Sequence, residues 1–336
     1  MKKPSNVEPI DTGRRPEDRP PSRVYENVAD LVADPDNPTP MIRLSRRFTG
    51  LEAFDIYVKL ERNNPFGSIQ DRTALYLLNG LDIREGQVLA EPTAGNTGIA
   101  LAALANARGT PIELALPDGT PEEKKALLRF LGAGLLEVED DLCPRFPTEG
   151  ARGVVKSLVE SAAYDGKYVS PNQYENELNV EAHYRTTGPE IWNQTGGEVE
   201  WFFAAFGTCG TITGVGRYLK ERNPNVRIIG IEPASRQHRL SGIKRISDLP
   251  EEHRPKILDY SLLDDIIEVS DEDAFGTGIE LARTEGLMVG PTTGALLHAA
   301  RVTGADAKGT AVVISPDDAG KYISSYASYL AERDAG

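Results

Sequence analysis

The sequence predicts an α/β protein of two domains, with parallel sheets whose faces are covered by helices. Two observations about the whole chain support this fold class. Its 336 residues exceed what one hydrophobic core usually serves, and apolar residues make up 40% of them, enough to fill two cores. A third observation is the alternation of short apolar runs with segments of helical periodicity, which is typical of strand–helix–strand units.

Six apolar runs predict the buried strands. A strand that is covered on both faces has apolar side chains on both, so its sequence is a short continuous run. We therefore expect parallel sheets whose strands are connected by helices. The runs lie at residues 56–60, 87–90, 111–116, 201–206, 227–231 and 311–314.

The segment that begins at Thr120 predicts a helix with clear boundaries. Thr120 is a typical capping residue, and Pro121 suits the first helical position, where an amide hydrogen would have no partner. Glu122 and Glu123 follow, as acids often do in a first turn. Gly132 is expected to end the helix, since glycine tolerates the left-handed conformation that is common there.

Charge and cysteine content exclude several classes of partner and site. The chain has 37 Lys and Arg against 51 Asp and Glu, and its net charge of −14 would repel nucleic-acid phosphates and anionic lipids. Its two cysteines, Cys143 and Cys209, are too few for a disulfide framework or a zinc site, so no metal is expected. Small molecules and proteins are left as partners.

The N-terminal segment and the hydropathy indicate a soluble, cytoplasmic protein. Residues 1–22 are polar and rich in proline, which predicts a flexible arm, and ordered structure is expected from about Val24. The arm has no apolar signal core. No apolar run in the chain is long enough to cross a membrane.

Two glycine-rich segments are candidates for binding an anion. Residues 91–98 and 206–214 each follow a predicted strand, open a predicted helix and combine glycine with hydroxyl side chains. Open α/β sheets bind ligands at such positions, where the free amides of a helix N-terminus can hold a phosphate or a carboxylate. Either segment alone also fits a mere tight turn, for which glycine supplies a positive φ.

A dinucleotide site is an alternative, because Glu232 lies 22 residues after Gly210, close to the position of the acid in that fold. The glycine spacing argues against it. Neither segment has the spacing Gly-x-Gly-x-x-Gly, and neither ends in the Gly-Lys-Ser/Thr of a P-loop. A nucleotide-dependent oxidoreductase therefore remains only as a third class of function.

Together with residues 59–72, the two segments resemble the cysteine synthase and cystathionine β-synthase family of fold type II pyridoxal phosphate enzymes. The resemblance runs from about Thr39 to Tyr322 and is nearest to cysteine synthases of the O-phosphoserine sulfhydrylase type. It implies a fold of the tryptophan synthase β type, pyridoxal phosphate as cofactor, an amino-acid substrate and a homodimer. Further matching segments are residues 172–174, 181–183, 241–245 and 290–294.

On this basis we predict an organisation in three parts. Residues 1–22 form the flexible arm. Residues 23–76 together with 175–336 form a large cofactor-binding domain. Residues 77–174 form a small, mobile domain that carries the substrate loops.

The resemblance implies roles for single residues. Asn96 matches the residue that hydrogen-bonds the ring hydroxyl of the cofactor, and Thr292 the one that faces its pyridine nitrogen. Lys244 or Arg245 lies where enzymes that prefer O-phosphoserine have a basic residue, although two adjacent bases on a loop are often simply solvated. The residues that would hold the cofactor phosphate are Gly207, Thr208, Cys209, Gly210 and Thr211. Those that would contact the substrate are Thr93, Ala94, Gly95, Thr97 and Gln173.

The chain departs from the family pattern at its central position. Gln70 stands where the family has the lysine that binds the cofactor covalently and later removes the Cα proton. An amide nitrogen is neither nucleophile nor base, and general-base assistance alone is worth roughly 10²- to 10⁴-fold. Ala94 replaces a usual serine, Cys209 replaces a usual glycine, and residues 316–320 also differ. Lys125 could be a substitute base, but its charged neighbours in a predicted helix indicate a solvated face.

Two functional hypotheses follow. The first is pyridoxal phosphate-dependent β-replacement or β-elimination on O-phosphoserine or O-acetylserine, as in cysteine synthases, with turnover threatened by Gln70. The second is a catalytically impaired homologue, or a lysine-to-glutamine variant, that binds the cofactor or an amino acid for regulation or for pairing with a partner protein.

Overall fold

The structure is a computed structural model, and it describes residues 24–93, 95–140 and 148–335. Ala94, Cys143 and the predicted arm at residues 1–22 lie outside the described residues. Within the described ranges the chain forms two mainly parallel sheets with helices packed on them, which confirms the predicted α/β fold class.

Strands and helices alternate along most of the chain. In the described ranges no helix combines the length and the apolar character needed to cross a bilayer. The strands are β1 Met41–Arg43, β2 Phe54–Leu60, β3 Val88–Pro92, β4 Ile112–Pro117, β5 Gly134–Val138, β6 Tyr168–Val169, β7 Val199–Ala205, β8 Arg227–Pro233, β9 Asp265–Val269 and β10 Gly309–Ser315. The helices are α1 Arg46–Thr49, α2 Gln70–Asn79, α3 Asn96–Ala107, α4 Glu122–Phe130, α5 Gly150–Glu160, α6 Leu178–Ala182, α7 Gly188–Gln194, α8 Gly210–Arg222, α9 Asp271–Glu285, α10 Pro291–Asp306 and α11 Ile323–Ala335.

The larger sheet has the strand order β1-β2-β10-β7-β8-β9, and the smaller has the order β5-β4-β3-β6. Neighbouring strands run parallel throughout, except that β1 pairs antiparallel with β2 at one edge. The six predicted strands are confirmed as β2, β3, β4, β7, β8 and β10.

The apolar runs do not predict the other four strands, β1, β5, β6 and β9, and all four lie at sheet edges. An edge strand has a neighbour on one side only and is covered less completely, so its sequence lacks a continuous apolar run. Strand β5, for example, has no fully buried residue.

The predicted helix after Thr120 forms, but it begins differently. Helix α4 starts at Glu122 with Pro121 as its N-cap residue, and no side chain caps it. The prediction that Thr120 caps the helix is therefore wrong; its hydroxyl oxygen is buried and has no hydrogen-bond partner among the described residues. Gly132 does follow the helix end, with a left-handed φ of +76°.

Three adjacent parallel strands bring together the loops that concern function. Strands β2, β10 and β7 are neighbours, so their carboxyl ends lie at the same edge of the larger sheet. Residues 61–69 lead from β2 to α2, residues 206–209 lead from β7 to α8, and residues 316–322 lead from β10 to α11.

A buried group of four charges holds the start of α2. Arg72 forms ion pairs with Glu61 and Glu190, and Lys59 donates to Glu190 at 2.6 Å. All four side chains are fully buried. Burial alone would raise the pKa of Glu61, but the charges of Arg72 and Lys59 hold it at about 2. Helix α2 is thus tied to β2 and α7 by charges that water does not screen.

Candidate functional site

The turn between β7 and α8 presents amide groups at the N-terminus of a long helix. Helix α8 begins at Gly210, and Cys209 before it has a left-handed backbone with φ +73°. The first amides of a helix have no partner within it, and the helix dipole adds positive potential at that end. Residues 207–211, where the sequence predicts phosphate binding, therefore lie together in a turn suited to an anion.

Two glycines of this turn have no room for a side chain. A Cβ on Gly207 would lie 2.8 Å from the carbonyl oxygen of Gly242, and a Cβ on Gly210 would lie 2.1 Å from Oδ1 of Asn179. Nδ2 of Asn179 donates to Oγ1 of Thr208 at 2.8 Å and so ties the turn to α6. Close packing and this hydrogen bond hold the turn in one conformation.

Cys209 is buried in the turn before α8. Its side chain is 3% exposed, and burial raises the pKa of the thiol to about 12 although Lys244 opposes the shift. The thiol is therefore protonated at neutral pH. Its positive φ is a conformation that glycine adopts more easily, so the residue is a small side chain tolerated in a tight turn.

The second predicted turn, between β3 and α3, brings several candidate substrate residues together. Oγ1 of Thr97 donates to Oε1 of Gln173 at 2.8 Å. The amide of Gly95 donates to Oγ1 of Thr93 at 3.4 Å, a long bond within the turn itself. These four residues line the carboxyl end of β3, at the first turn of α3.

Glu91 positions the segment that carries Gln173, and the sequence analysis missed it. Its carboxylate accepts hydrogen bonds from Oγ of Ser170 at 3.0 Å and from the amides of Asn172 and Gln173 at 3.0 and 3.1 Å. Burial raises the pKa of Glu91 to about 7 despite these donors. An acid within the otherwise apolar run of β3 was the available signal.

Asn96 connects the second turn with the C-terminal part of the chain. Its Nδ2 donates to Oδ2 of Asp317 at 2.7 Å, and its Oδ1 accepts from Nζ of Lys321 at 2.9 Å. The hydroxyl of Tyr322 also donates to Oδ2 of Asp317, and burial raises the pKa of that carboxyl. The side chain predicted to face the cofactor ring is therefore oriented by two ionisable groups, Asp317 and Lys321.

Lys321 is a second residue that the sequence analysis missed. Besides Asn96, its Nζ donates to the carbonyl oxygen of Phe66 at 3.0 Å, on the loop that leads to α2. Lys125 was considered as a substitute base. Its Nζ donates to Glu137 at 2.6 Å and to the carbonyl oxygen of Asp118. The prediction that Lys125 is solvated is wrong, because the side chain is only 4% exposed.

Gln70 is the first residue of α2, at the carboxyl-end edge described above. Its Oε1 is buried and has no hydrogen-bond partner among the described residues, so the site contains an unsatisfied buried polar atom. Asp71 next to it is fully buried, and burial raises the pKa of its carboxyl to about 7. The Phe66 amide and the Ser68 hydroxyl donate to Asp71 and shape this loop.

Lys244 and Arg245 separate into two environments. Lys244 is 7% exposed, and its Nζ lies 4.7 Å from the centre of the Tyr174 ring. Arg245 instead forms ion pairs with Asp248 at 2.8 Å and Glu268 at 2.6 Å. The alternative that both bases are simply solvated is wrong for Lys244.

Thr292 is buried in the first turn of α10. The adjacent Thr293 donates to Oγ of Ser315 at 3.1 Å, and a Cβ on Gly290 would lie 2.2 Å from Oδ1 of Asp317. Thr292 therefore lies beside the carboxyl end of β10. Its role toward a pyridine nitrogen stays a prediction.

Comparison with known proteins identifies the family of the chain. The family model for pyridoxal-phosphate dependent enzymes matches residues 32–317. A cysteine synthase of Aquifex aeolicus is 39% identical over 318 residues, which are 91% of this chain and 93% of that protein. Cysteine synthase B of Escherichia coli is 38% identical over 291 residues, which are 85% of this chain and 92% of that protein.

A solved structure gives the same result. The hydrogen sulfide-producing enzyme of Fusobacterium nucleatum superimposes with a TM-score of 0.78 at 32% identity, and the match covers 89% of this chain and all of that one. The family match, the sequence identity to cysteine synthases and the shared fold show that the chain belongs to the family of fold type II pyridoxal phosphate-dependent enzymes.

Proposed function

We propose that this protein binds pyridoxal phosphate and acts at the β-carbon of a serine-derived amino acid, as cysteine synthases do. The observation that carries the proposal is the turn before α8. Gly207 and Gly210 have no space for a Cβ there, and the first amides of the helix have no partner within it and favour an anion. The names of the similar cysteine synthases support the reaction class.

The proposal assigns donor groups to both ends of the cofactor. In this proposal the amides and hydroxyls of residues 207–211 hold the phosphate, Asn96 holds the ring hydroxyl, and Thr292 faces the ring nitrogen. When bound, the cofactor withdraws electrons from Cα of the attached amino acid and so eases departure of the group on Cβ. A neutral hydroxyl such as that of Thr292 leaves this withdrawal moderate, which suits elimination.

The substrate carboxylate would bind at the first turn of α3. Thr93 and Thr97 supply hydroxyls there, and Gln173 supplies a side-chain amide, while its backbone N–H donates to Glu91 and so fixes this segment. The N-terminus of α3 adds free backbone amides, which favour a carboxylate.

Lys244 favours a phosphorylated substrate over an acetylated one. A buried ammonium is a strong partner for a phosphate dianion, whereas acetate esters carry no charge there. We expect Lys244→Gln to raise KM for O-phosphoserine at least ~10-fold, the equivalent of 1.4 kcal/mol, and to leave KM for O-acetylserine nearly unchanged. The matched control is Arg245→Gln, since the carboxylates of Asp248 and Glu268 already occupy that guanidinium. Equal effects on both substrates would contradict the assignment.

The test of the proposal is binding of the cofactor, compared with its form that lacks the phosphate. Pyridoxal phosphate at about 100 times its dissociation constant should stabilise the protein by about 2.7 kcal/mol, measured as a rise in Tm. Pyridoxal at the same concentration should have little effect, because the turn before α8 would contribute nothing to its binding. No shift with pyridoxal phosphate, or a shift with nicotinamide nucleotides instead, would reject the proposal.

A second candidate function is ligand binding without turnover, and Gln70 favours it. We expect Gln70→Lys to increase cysteine formation from O-phosphoserine and sulfide if the rest of the pocket is competent. Strong binding of the cofactor with no activity in either form would favour the regulatory function.

We also propose a homodimer that acts in the reducing cytoplasm. Light scattering should then give about twice the chain mass of 36.6 kDa.

A further inference from the structure

Lys321 contacts both segments that border the predicted cofactor site, at Asn96 and at Phe66. It lies in the short helical turn Ala319–Tyr322, directly after β10. Its Nζ donates to Oδ1 of Asn96 at 2.9 Å and to the carbonyl oxygen of Phe66 at 3.0 Å. These acceptors belong to the two loops that, in the proposed function, border the ring of the cofactor.

The position of the amine follows from these two contacts. In pyridoxal phosphate the carbon that carries the hydroxyl is flanked by the carbon of the aldehyde and the carbon of the methyl group. If Asn96 holds the hydroxyl, a group bonded to Asn96 lies on this side of the ring, and the second contact decides in favour of the aldehyde. On the other side, a Cβ on Gly67 would lie 3.4 Å from Nζ of Lys321, three residues before Gln70. The amine thus reaches the same loop from which the family lysine would extend.

We propose that Lys321 supplies the amine that binds the cofactor covalently, in place of the lysine missing at position 70; this rests on the proposed function. The neutral Nζ attacks the aldehyde carbon, and a carbon–nitrogen double bond replaces the carbon–oxygen one. The aldehyde oxygen leaves as water with the two amine hydrogens. The step needs no oxidant or reductant.

Two further observations fit the proposal. Burial lowers the pKa of Lys321, although Asp317, Asp71 and Asp318 oppose the shift, so more of the amine is neutral than in an exposed lysine. Among the described residues, the buried oxygen of Gln70 has no hydrogen-bond partner, so the side chain that replaces the lysine has a polar atom that the site does not satisfy.

The other lysines discussed above contact groups other than Asn96. Nζ of Lys244, for example, lies 4.7 Å from the centre of the Tyr174 ring. Nζ of Lys124 donates to Oγ of Ser241 at 3.1 Å, Lys59 is paired with Glu190, and Lys125 is paired with Glu137. Among the described residues, Lys321 is the lysine that hydrogen-bonds Asn96.

The test locates the bond directly and does not depend on activity. The purified full chain is incubated with pyridoxal phosphate, treated with borohydride to reduce any carbon–nitrogen double bond to a stable amine, digested and mapped by mass spectrometry. We expect the phosphopyridoxyl group on the peptide that contains Lys321. Lys321→Arg keeps the charge but should lose the label, and the matched control Lys124→Arg should keep it.

The outcomes separate this inference from the proposed function. If pyridoxal phosphate raises Tm but the label is absent or lies on another lysine, the inference is overturned and the proposed function stands. If Tm does not rise and no label forms, both fail. The double variant Gln70→Lys, Lys321→Arg guards against misfolding: a label at position 70 there, together with none in Lys321→Arg alone, shows an intact pocket and supports the inference.

Discussion

Removal of one charge from the buried group at the start of α2 should be strongly destabilising. The four charges of Lys59, Glu61, Arg72 and Glu190 sum to zero, and all four side chains are inaccessible to water. Glu190→Gln keeps the shape of the side chain but leaves one buried positive charge without a counterion. Loss of one partner from a buried pair costs about 3–5 kcal/mol.

The expected loss for Glu190→Gln is near the lower end, about 3 kcal/mol, because the amide oxygen can still accept one hydrogen bond. It should appear in urea unfolding as a lower midpoint with an unchanged m-value. Glu280→Gln is the control: Glu280 pairs with Arg301 at 2.7 Å, but the two side chains are 43% and 32% exposed. That pair is worth about 0–1 kcal/mol. A loss for Glu190→Gln no larger than the control's would refute the reasoning.

Three further predictions concern the site. Burial raises the pKa of Asp71 to about 7 from an ordinary 3.8, so the folded protein loses stability as the pH rises toward 7 and this carboxyl ionises. Between about pH 5 and pH 8 the unfolding free energy of the parent should fall by roughly 2–3 kcal/mol more than that of Asp71→Asn, which has no carboxyl to ionise. In a Cys143→Ser background, Cys209 should react with a thiol reagent only after unfolding, whereas rapid labelling of the folded protein contradicts its burial. Gly210→Ala should abolish the Tm rise with pyridoxal phosphate because its Cβ collides with a neighbouring asparagine, while Gly216→Ala on the same helix, with 3.5 Å of clearance, should preserve it.

The parts of the fold that could be predicted from the sequence are those that are buried on both faces. The central strands produce continuous apolar runs, whereas the four edge strands do not, since part of their surface is exposed. The cap of α4 was predicted wrongly because Thr120 and Pro121 are both typical of a helix start, and only the backbone decides between them.

The site could be predicted where its residues are adjacent in sequence, as in the two glycine turns. It could not be predicted where the contact is long-range. Asn96 bonds to Asp317 and Lys321 across 221 and 225 positions, and no local pattern indicates that pairing. The role of Glu91 could not be predicted for a different reason. A single acid in an apolar run does not indicate which backbone amides donate to its carboxylate.

The order β2-β10-β7 also has a consequence for how such enzymes can change. Three separate loops end at one edge of the sheet, so a side chain of the same chemistry can enter the pocket from any of them. A reactive group can then be lost from one loop and regained on another while the strand order, the core and the ligand's orientation stay as they were. Surveys that examine a single alignment column would classify such a protein as inactive, and the spatial neighbours of that column are the better criterion.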